Sequence, residues 1–259
     1  MGRHRARKRF GQHFLSDSEF VNNIIAAIAP RPGETLVEIG PGRGALTLPL
    51  SEVATKLHAI ELDRNLVNEL RQSLADRQNV TLHQADALNF DFSAIGTQLR
   101  VVGNLPYNIS TPLLFHLLEQ RDLIADMHFM LQKEVVDRIC AAPGSKTFGR
   151  LTVMLGSYLE SVALFEVPPA AFTPPPRVTS AVIRLRPRPD VHVSDHNVLA
   201  SLVAVAFSKR RKTLRNALAN VVSEEQLMSC GIEPSARAET IAVSDWVALS
   251  NTISNRNNS

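Results

Sequence analysis

The sequence predicts an α/β fold, a parallel sheet covered by helices on both faces, followed by a smaller helical domain. Three observations carry this. Short apolar, β-branched runs alternate with helical patterns from Thr35 to Arg138, the signature of βαβ units. The first such run is followed directly by the glycine turn Gly40-Pro41-Gly42-Arg43-Gly44 and then a helical pattern. After Arg186-Pro187-Arg188-Pro189 the strand pattern gives way to helical spacing that continues to the C-terminus.

In chain order, Phe20–Ala29 has helical spacing and stops at Pro30, with Pro32-Gly33 as a turn. Thr35–Ile39 reads as a buried strand and Ala45–Val53 as its helix. Lys56–Ile60 is a second strand, ending at Glu61, followed by a helix over Arg64–Ala75. Val80–Gln84 is a third strand, ending at Asp86. The run from Leu99 to Gly103 is a fourth, and Thr111–Gln120 a helix whose first turn tolerates proline. Asp126–Leu131 is a fifth strand, with a helix through Arg138. Val162–Val167 and Ser180–Leu185, joined by the proline-rich stretch Pro168–Pro176, suit an antiparallel hairpin at one end of the sheet. The expected division is residues 1–187, with a basic arm at 1–15, and a helical domain at 188–259.

The 259 residues, 44% of them hydrophobic, suffice for a substantial core. The net charge of +3 says little, but its distribution says more. Arg3, Arg5, Arg7, Lys8 and Arg9 crowd one end, and Lys209, Arg210, Arg211, Lys212 and Arg215 form a second cluster. Such clusters suit phosphates, as RNA or DNA presents them, and also suit plain solvation. Cys140 and Cys230 are far apart and form no CxxC pair, so reduced thiols and a cytoplasmic location are expected. The eight histidines show no ligand spacing, and no metal is expected. The apolar run Ile24–Ala29 is too short to span a bilayer, so no membrane association is expected.

The site reading begins at the strand ends. Glycines let backbone approach a ligand closely, and ligands of open α/β sheets bind at carboxyl ends of strands. Glu61 stands 21 positions after Gly40, at the next strand end, where a carboxylate can accept both ribose hydroxyls. The dinucleotide fingerprint would need glycine where Ala45 stands, which favours S-adenosylmethionine over NAD. Asp86 can accept from an adenine amine or simply form a turn. Gly40, Glu61, Asp86 and Asn104 fall at four successive strand ends and so project onto one edge of the sheet. Asn104-Leu105-Pro106-Tyr107 is poor core but a good cradle for a flat base with an exocyclic amine. The amide oxygen and a backbone carbonyl can accept, proline fixes the carbonyl direction and tyrosine offers a stacking face.

These motifs resemble the small-subunit ribosomal RNA adenine N6-dimethyltransferases. Arg7-Lys8-Arg9-Phe10-Gly11-Gln12-His13-Phe14-Leu15 resembles the family's N-terminal motif, Glu38–Gly44 its cofactor loop and Glu61-Leu62-Asp63 its ribose-binding strand end. Gln84–Ala87 resembles the adenine-binding segment, Gly103–Ser110 the catalytic motif, and Phe172–Ser180 the motif that helps hold the target base. The resemblance implies a Rossmann-like, class I S-adenosylmethionine-dependent methyltransferase fold. It implies dimethylation of two adjacent adenines in the 3′-terminal hairpin loop of 16S rRNA, on a partly assembled small ribosomal subunit. By matching position, cofactor contacts fall on His13, Leu15, Gly40, Glu61, Asp86 and Asn104. Relatives often carry asparagine at the place of His13, and because a backbone carbonyl serves there, little change is expected. Catalytic positions are Asn104, Leu105, Pro106, Tyr107 and Phe172, with Tyr107 and Phe172 sandwiching the base. RNA contacts fall on Arg7, Lys8, Arg9, Arg177, Lys209, Arg210, Arg211 and Lys212, and a monomer is expected.

Three other readings compete. The related large-subunit methyltransferases share the catalytic half, but the Phe172–Ser180 motif and the basic C-terminal element fit the small-subunit family better. A DNA adenine methyltransferase would favour proline where Leu105 stands. A pure binding module would not need Glu61, Asp86 and Asn104 together. Pro143-Gly144-Ser145-Lys146-Thr147 departs from a phosphate loop at Ser145 and Cys140 and follows a helix, so it is read as a mobile loop that touches RNA, without ATP binding.

Overall fold

The computed structural model describes residues 13–257; Arg7, Lys8 and Arg9 lie outside the described residues. Nine strands and ten α-helices are formed among them. Seven strands build one sheet, ordered β4 (Val80–Gln84), β3 (Lys56–Glu61), β2 (Thr35–Ile39), β5 (Leu99–Asn104), β6 (Ile124–Gln132), β9 (Ser180–Pro187), β7 (Leu159–Val167). β4 through β6 are parallel, and β9 runs antiparallel to β6. The two strands expected to form a hairpin at one end of the sheet are neighbours there, with β9 on the inner side against β6 and β7 at the edge. Within the connection between β7 and β9, β8 (Phe172–Thr173) pairs with β1 (Phe14–Leu15) in a separate two-stranded sheet.

Both faces of the large sheet are covered, as a parallel sheet requires. Leu36, Leu57, Val102, Met130 and Val182 project to one face and pack with Ile24 and Ile28 of α1 (Ser18–Ile28) and Leu50 of α2 (Thr47–Val53). Their neighbours Val37, Val101, Phe129 and Ile183 project to the other face and are equally buried. On the first face, α1 ends against a buried charge. Arg100 donates to the Ile28 and Ala29 carbonyls at 2.6 and 3.2 Å, to Asp126 through two nitrogens at 2.9 Å, and to Glu34 at 2.7 Å. A cation at the carbonyl end of a helix satisfies orphan acceptors and opposes the helix dipole.

Two compact units emerge. The first comprises the chain up to Val136 together with Val162–Pro187 and contains the sheet; the second comprises Asp137–Ser161 and the chain from Arg188 onward. The linear division at 187/188 thus differs from the structure in one respect: residues 137–161, including α6 (Arg150–Gly156), group with the C-terminal helices. In this second unit Phe148, Phe207 and Trp246 form an aromatic cluster.

Candidate active site

The strand order reverses between β2 and β5, the switch point where open α/β sheets bind ligands. A cavity of about 360 Å³ lies there, walled by the ends of β2, β3 and β5, the turn after β4, and the arm residues His13, Phe14 and Leu15. His13, Leu15, Gly40, Glu61, Asp86 and Asn104, and with them Leu105, Pro106 and Tyr107, all line this one cavity.

The glycine turn fits close approach. Gly40 and Gly42 hold φ of +68° and +57°, and a Cβ on Gly42 would press the Phe14 ring at 3.2 Å. Glu61 is fixed at the end of β3 by two backbone donors, Gly42 N at 3.2 Å and Asp63 N at 2.8 Å. Burial raises its pKa above the ordinary carboxylate value. Behind it, Glu38 is 1% exposed and its Oε2 has no hydrogen-bond partner. Burial, reinforced by the Glu61 carboxylate, pushes its pKa to about 8. Asp86 accepts from Leu88 N at 3.0 Å and Asn89 Nδ2 at 3.1 Å, so it also builds its own turn.

Glu61, Asp63 and Asp86, with the largely protonated Glu38 beside them, line the cavity against one guanidinium, Arg43, whose charge sits 4.8 Å over the Phe14 ring. An acidic wall suits a sulfonium and an ammonium; it repels a pyrophosphate. The residues present therefore fit S-adenosylmethionine.

Asn104 closes β5. Its Nδ2 donates to the His13 carbonyl at 3.1 Å, and its Oδ1 has no partner among the described residues. Leu105 is buried, and its N–H donates to Met130 O at 3.2 Å, which anchors the peptide beside the Asn104 side chain. Tyr107 is half-buried, with its hydroxyl 2.7 Å from Ser180 Oγ and its ring stacked on His13 at 5.9 Å and 28°. Burial raises the phenol pKa, so the hydroxyl stays neutral.

Phe172 is a correction. It is 3% exposed, pairs in β8 with Leu15, and packs with Leu15, Ile24 and Val182; it does not line the cavity. The expected sandwich of Tyr107 and Phe172 does not form because strand pairing turns the phenyl ring into the core. His13 lines the cavity at the expected place, and its ring adds contacts with Tyr107 and, through Nδ1, with the Pro174 carbonyl at 2.9 Å. Its side chain is thus engaged beyond any role of its carbonyl.

Leu62 and Ser180 stand inside motifs quoted from the sequence, Glu61-Leu62-Asp63 and Phe172–Ser180, but were not singled out there as site residues. Leu62 lines the cavity beside Glu61 yet is 54% exposed, an apolar surface suited to a purine face. Its signal was available, an apolar residue directly after an acidic strand end. In the basic clusters, Arg177, Lys209, Arg211 and Lys212 are exposed. Arg210 instead donates to Lys146 O at 3.0 Å and lies 3.8 Å from Glu239. That contact, with Gly144 N donating to Glu239 O at 2.7 Å, pins the Pro143–Thr147 loop within its unit.

The sequence profile of the family described as ribosomal RNA adenine dimethylase matches residues 3–255. The chain is 52% identical over 256 residues to the ribosomal RNA small subunit methyltransferase A of Alcanivorax borkumensis, covering 97% of this chain and 91% of the relative. It is 53% identical over 248 residues to the protein of the same name from Thiobacillus denitrificans, covering 95% and 97%. Among solved structures it is similar to a dimethyladenosine transferase from Plasmodium falciparum, with a TM-score of 0.85, 23% identity and coverage of 95% and 98%. It is also similar to the 23S rRNA methyltransferase ErmE, with a TM-score of 0.75, 25% identity and coverage of 93% and 99%. The cavity at the switch point, its acidic wall and the amide at the end of β5 are thus set in a class I methyltransferase fold, and the chain belongs to the ribosomal RNA adenine dimethylase family.

Proposed function

We propose that this chain dimethylates N6 of two adjacent adenines in the 3′-terminal hairpin loop of 16S rRNA, within a small subunit under assembly in the cytoplasm. S-adenosylmethionine, when bound, supplies an electrophilic methyl group on a cationic sulfur. The observation that carries the reading is the orientation of Asn104. With Nδ2 held by the His13 carbonyl, Oδ1 remains as an acceptor at the cavity that Glu61, Asp86 and Gly40 line.

Adenine N6 is a poor nucleophile because its lone pair is conjugated with the ring. Asn104 Oδ1 and the Leu105 carbonyl accept its two hydrogens, favour a pyramidal nitrogen and stabilise the positive charge that develops there, an effect of pre-placed acceptors. Pro106 fixes the direction of the chain between them. Tyr107 offers a face to a base taken out of its stack. Glu61 accepts from the ribose hydroxyls, Leu62 covers the purine, and Asp86 accepts from its amine. His13, Leu15 and Gly40 shape the remaining wall. No general base is needed, since the methylated ammonium is itself acidic.

Exposed Arg177, Lys209, Arg211 and Lys212, together with Arg7, Lys8 and Arg9, are proposed to meet phosphates, which position RNA without reading its bases. The site is assembled within a single chain, which supports action as a monomer. The small-subunit substrate is favoured over the large-subunit one by the relatives above and by the Phe172–Ser180 segment.

The test supplies purified protein with S-adenosylmethionine and small subunits lacking the modification, then digests the RNA and weighs its nucleosides. N6,N6-dimethyladenosine is expected. Tight subunit binding with no transfer, at any magnesium concentration, would replace the enzyme reading with a binding module.

A further inference from the structure

We infer that Ser180 and the His13 imidazole are positioning residues that clamp the Tyr107 ring and leave it one open face for the target base. The inference rests on the reading that Tyr107 stacks on the adenine.

The clamp has two jaws. Ser180 is 0% exposed and opens β9, in register with Gln132 of β6, so the sheet sets the position of its hydroxyl. The Tyr107 hydroxyl meets it at 2.7 Å. A buried tyrosine hydroxyl needs such a partner, and here the partner fixes the far end of the ring. On the ring's flank, His13 stacks at 5.9 Å with planes 28° apart, an ordinary offset aromatic geometry.

The second jaw is itself held. His13 precedes β1, whose Phe14 pairs with Thr173. Its Nδ1 lies 2.9 Å from the Pro174 carbonyl, and a carbonyl only accepts, so that nitrogen carries the proton. The same residue's carbonyl receives Asn104 Nδ2 at 3.1 Å. One residue therefore sets both the plane of the stacking ring and the direction of the acceptor amide.

Two consequences follow from this coupling. A base can stack only on the Tyr107 face turned away from His13. Phe172 sits in the core and does not supply the opposite wall, so the angle of one ring decides where N6 lies relative to Asn104 Oδ1. Methyl transfer needs a near-linear approach, and an error of about 1 Å in such an arrangement can cost on the order of 10²-fold in rate. Neither jaw needs to touch the reacting atoms for its loss to slow transfer.

The test compares Ser180→Ala, Tyr107→Phe, their double variant, His13→Ala and His13→Phe on unmodified small subunits with saturating S-adenosylmethionine. Ser180→Ala and Tyr107→Phe are each expected to lower kcat at least tenfold while KM for the subunit and Kd for the cofactor stay within twofold. The double variant should be no slower than either single one. His13→Ala should behave as Ser180→Ala does, and His13→Phe, which keeps a ring, should recover part of the loss. With 2-aminopurine at the target adenine, stacking on Tyr107 quenches its fluorescence, and Ser180→Ala and His13→Ala should weaken that quenching. The inference is overturned if Ser180→Ala keeps kcat within twofold and quenching intact. It is equally overturned if the lost activity comes with an equal loss of cofactor affinity and thermal stability, which marks a purely structural role. Should the unaltered chain transfer no methyl group, the reading of function fails, and the quenching measurement still decides on the clamp.

Discussion

Gly103 stands so close to Ile39 that a Cβ built on it would lie 2.5 Å from the Ile39 carbonyl oxygen. These two residues directly precede Asn104 and Gly40. The acceptor amide and the glycine turn are therefore carried by neighbouring parallel strands with no space between them. Gly103→Ala must push β2 and β5 apart. Overpacking of this kind costs about 1–3 kcal/mol, and chemical denaturation should show that loss. Cofactor affinity should fall with it, by tenfold or more, because Gly40 moves with β2. Unchanged affinity in a stably folded variant would show that the turn does not depend on this contact.

Asn104→Ala removes the acceptor and leaves the His13 carbonyl without its donor. Loss of one pre-placed group of this type costs roughly 10²–10³ in kcat. Subunit binding should persist, since the phosphate contacts proposed above lie elsewhere. Asn104→Asp keeps an acceptor but sets a carboxylate oxygen against the His13 carbonyl, so it should also be slow. Rapid-quench measurement of the first methyl transfer, beside filter binding of the subunit, separates the two effects. Parallel loss of both would mark Asn104 as structural.

Much of this site could be read from sequence because it lies at strand ends. Glu61, Asp86 and Asn104 each follow an apolar run, and parallel strands deliver their carboxyl ends to one edge. The remainder depends on partners far apart in the chain. Nothing near Phe172 tells that Phe14-Leu15 will pair with it and turn its ring inward. The His13 ring meets Pro174 and Tyr107, neither of them near it in sequence. The insertion of β9 between β6 and β7 is likewise hidden, because the handedness rule for crossovers orders only parallel strands. Residues 137–161 group with the C-terminal helices through packing that no linear division captures.

Glu38 predicts a pH dependence of cofactor binding. Its pKa of about 8 leaves it mostly protonated at neutral pH in the free protein. A cation bound in the cavity favours the charged form, so binding expels a proton. Affinity should rise with pH up to about 8 and level off above it. Titration calorimetry in buffers of different ionisation enthalpy should count the released proton at pH 7. Glu38→Gln should flatten the pH profile and release none. Because the folded-state pKa lies above the ordinary carboxylate value, the free protein should lose stability as pH rises toward 8, and Glu38→Gln should remove that loss. A profile equally steep in both proteins would assign the proton to another group.

His128, in the middle of β6, predicts sensitivity to acid. It is 3% exposed, and neither ring nitrogen has a hydrogen-bond partner. Burial drives its pKa down to about 4. Asp126, 3.8 Å away, opposes that shift, while Arg100, Arg184 and Arg186 add to it. Asp126 gives little relief because both its carboxylate oxygens already accept from Arg100. With the folded-state pKa lowered, the unfolded chain binds the proton more readily than the native one. Stability should therefore fall as pH drops from about 6.5 toward 4. His128→Leu fills the site with an apolar side chain and has no proton to take up. Urea midpoints at pH 7 and pH 5 should converge in this variant, while the unaltered chain shows a clear drop at pH 5. An equal drop in both would place the acid sensitivity in the Arg100 network itself, where protonation of Asp126 or Glu34 would leave the buried guanidinium without its counter-ions.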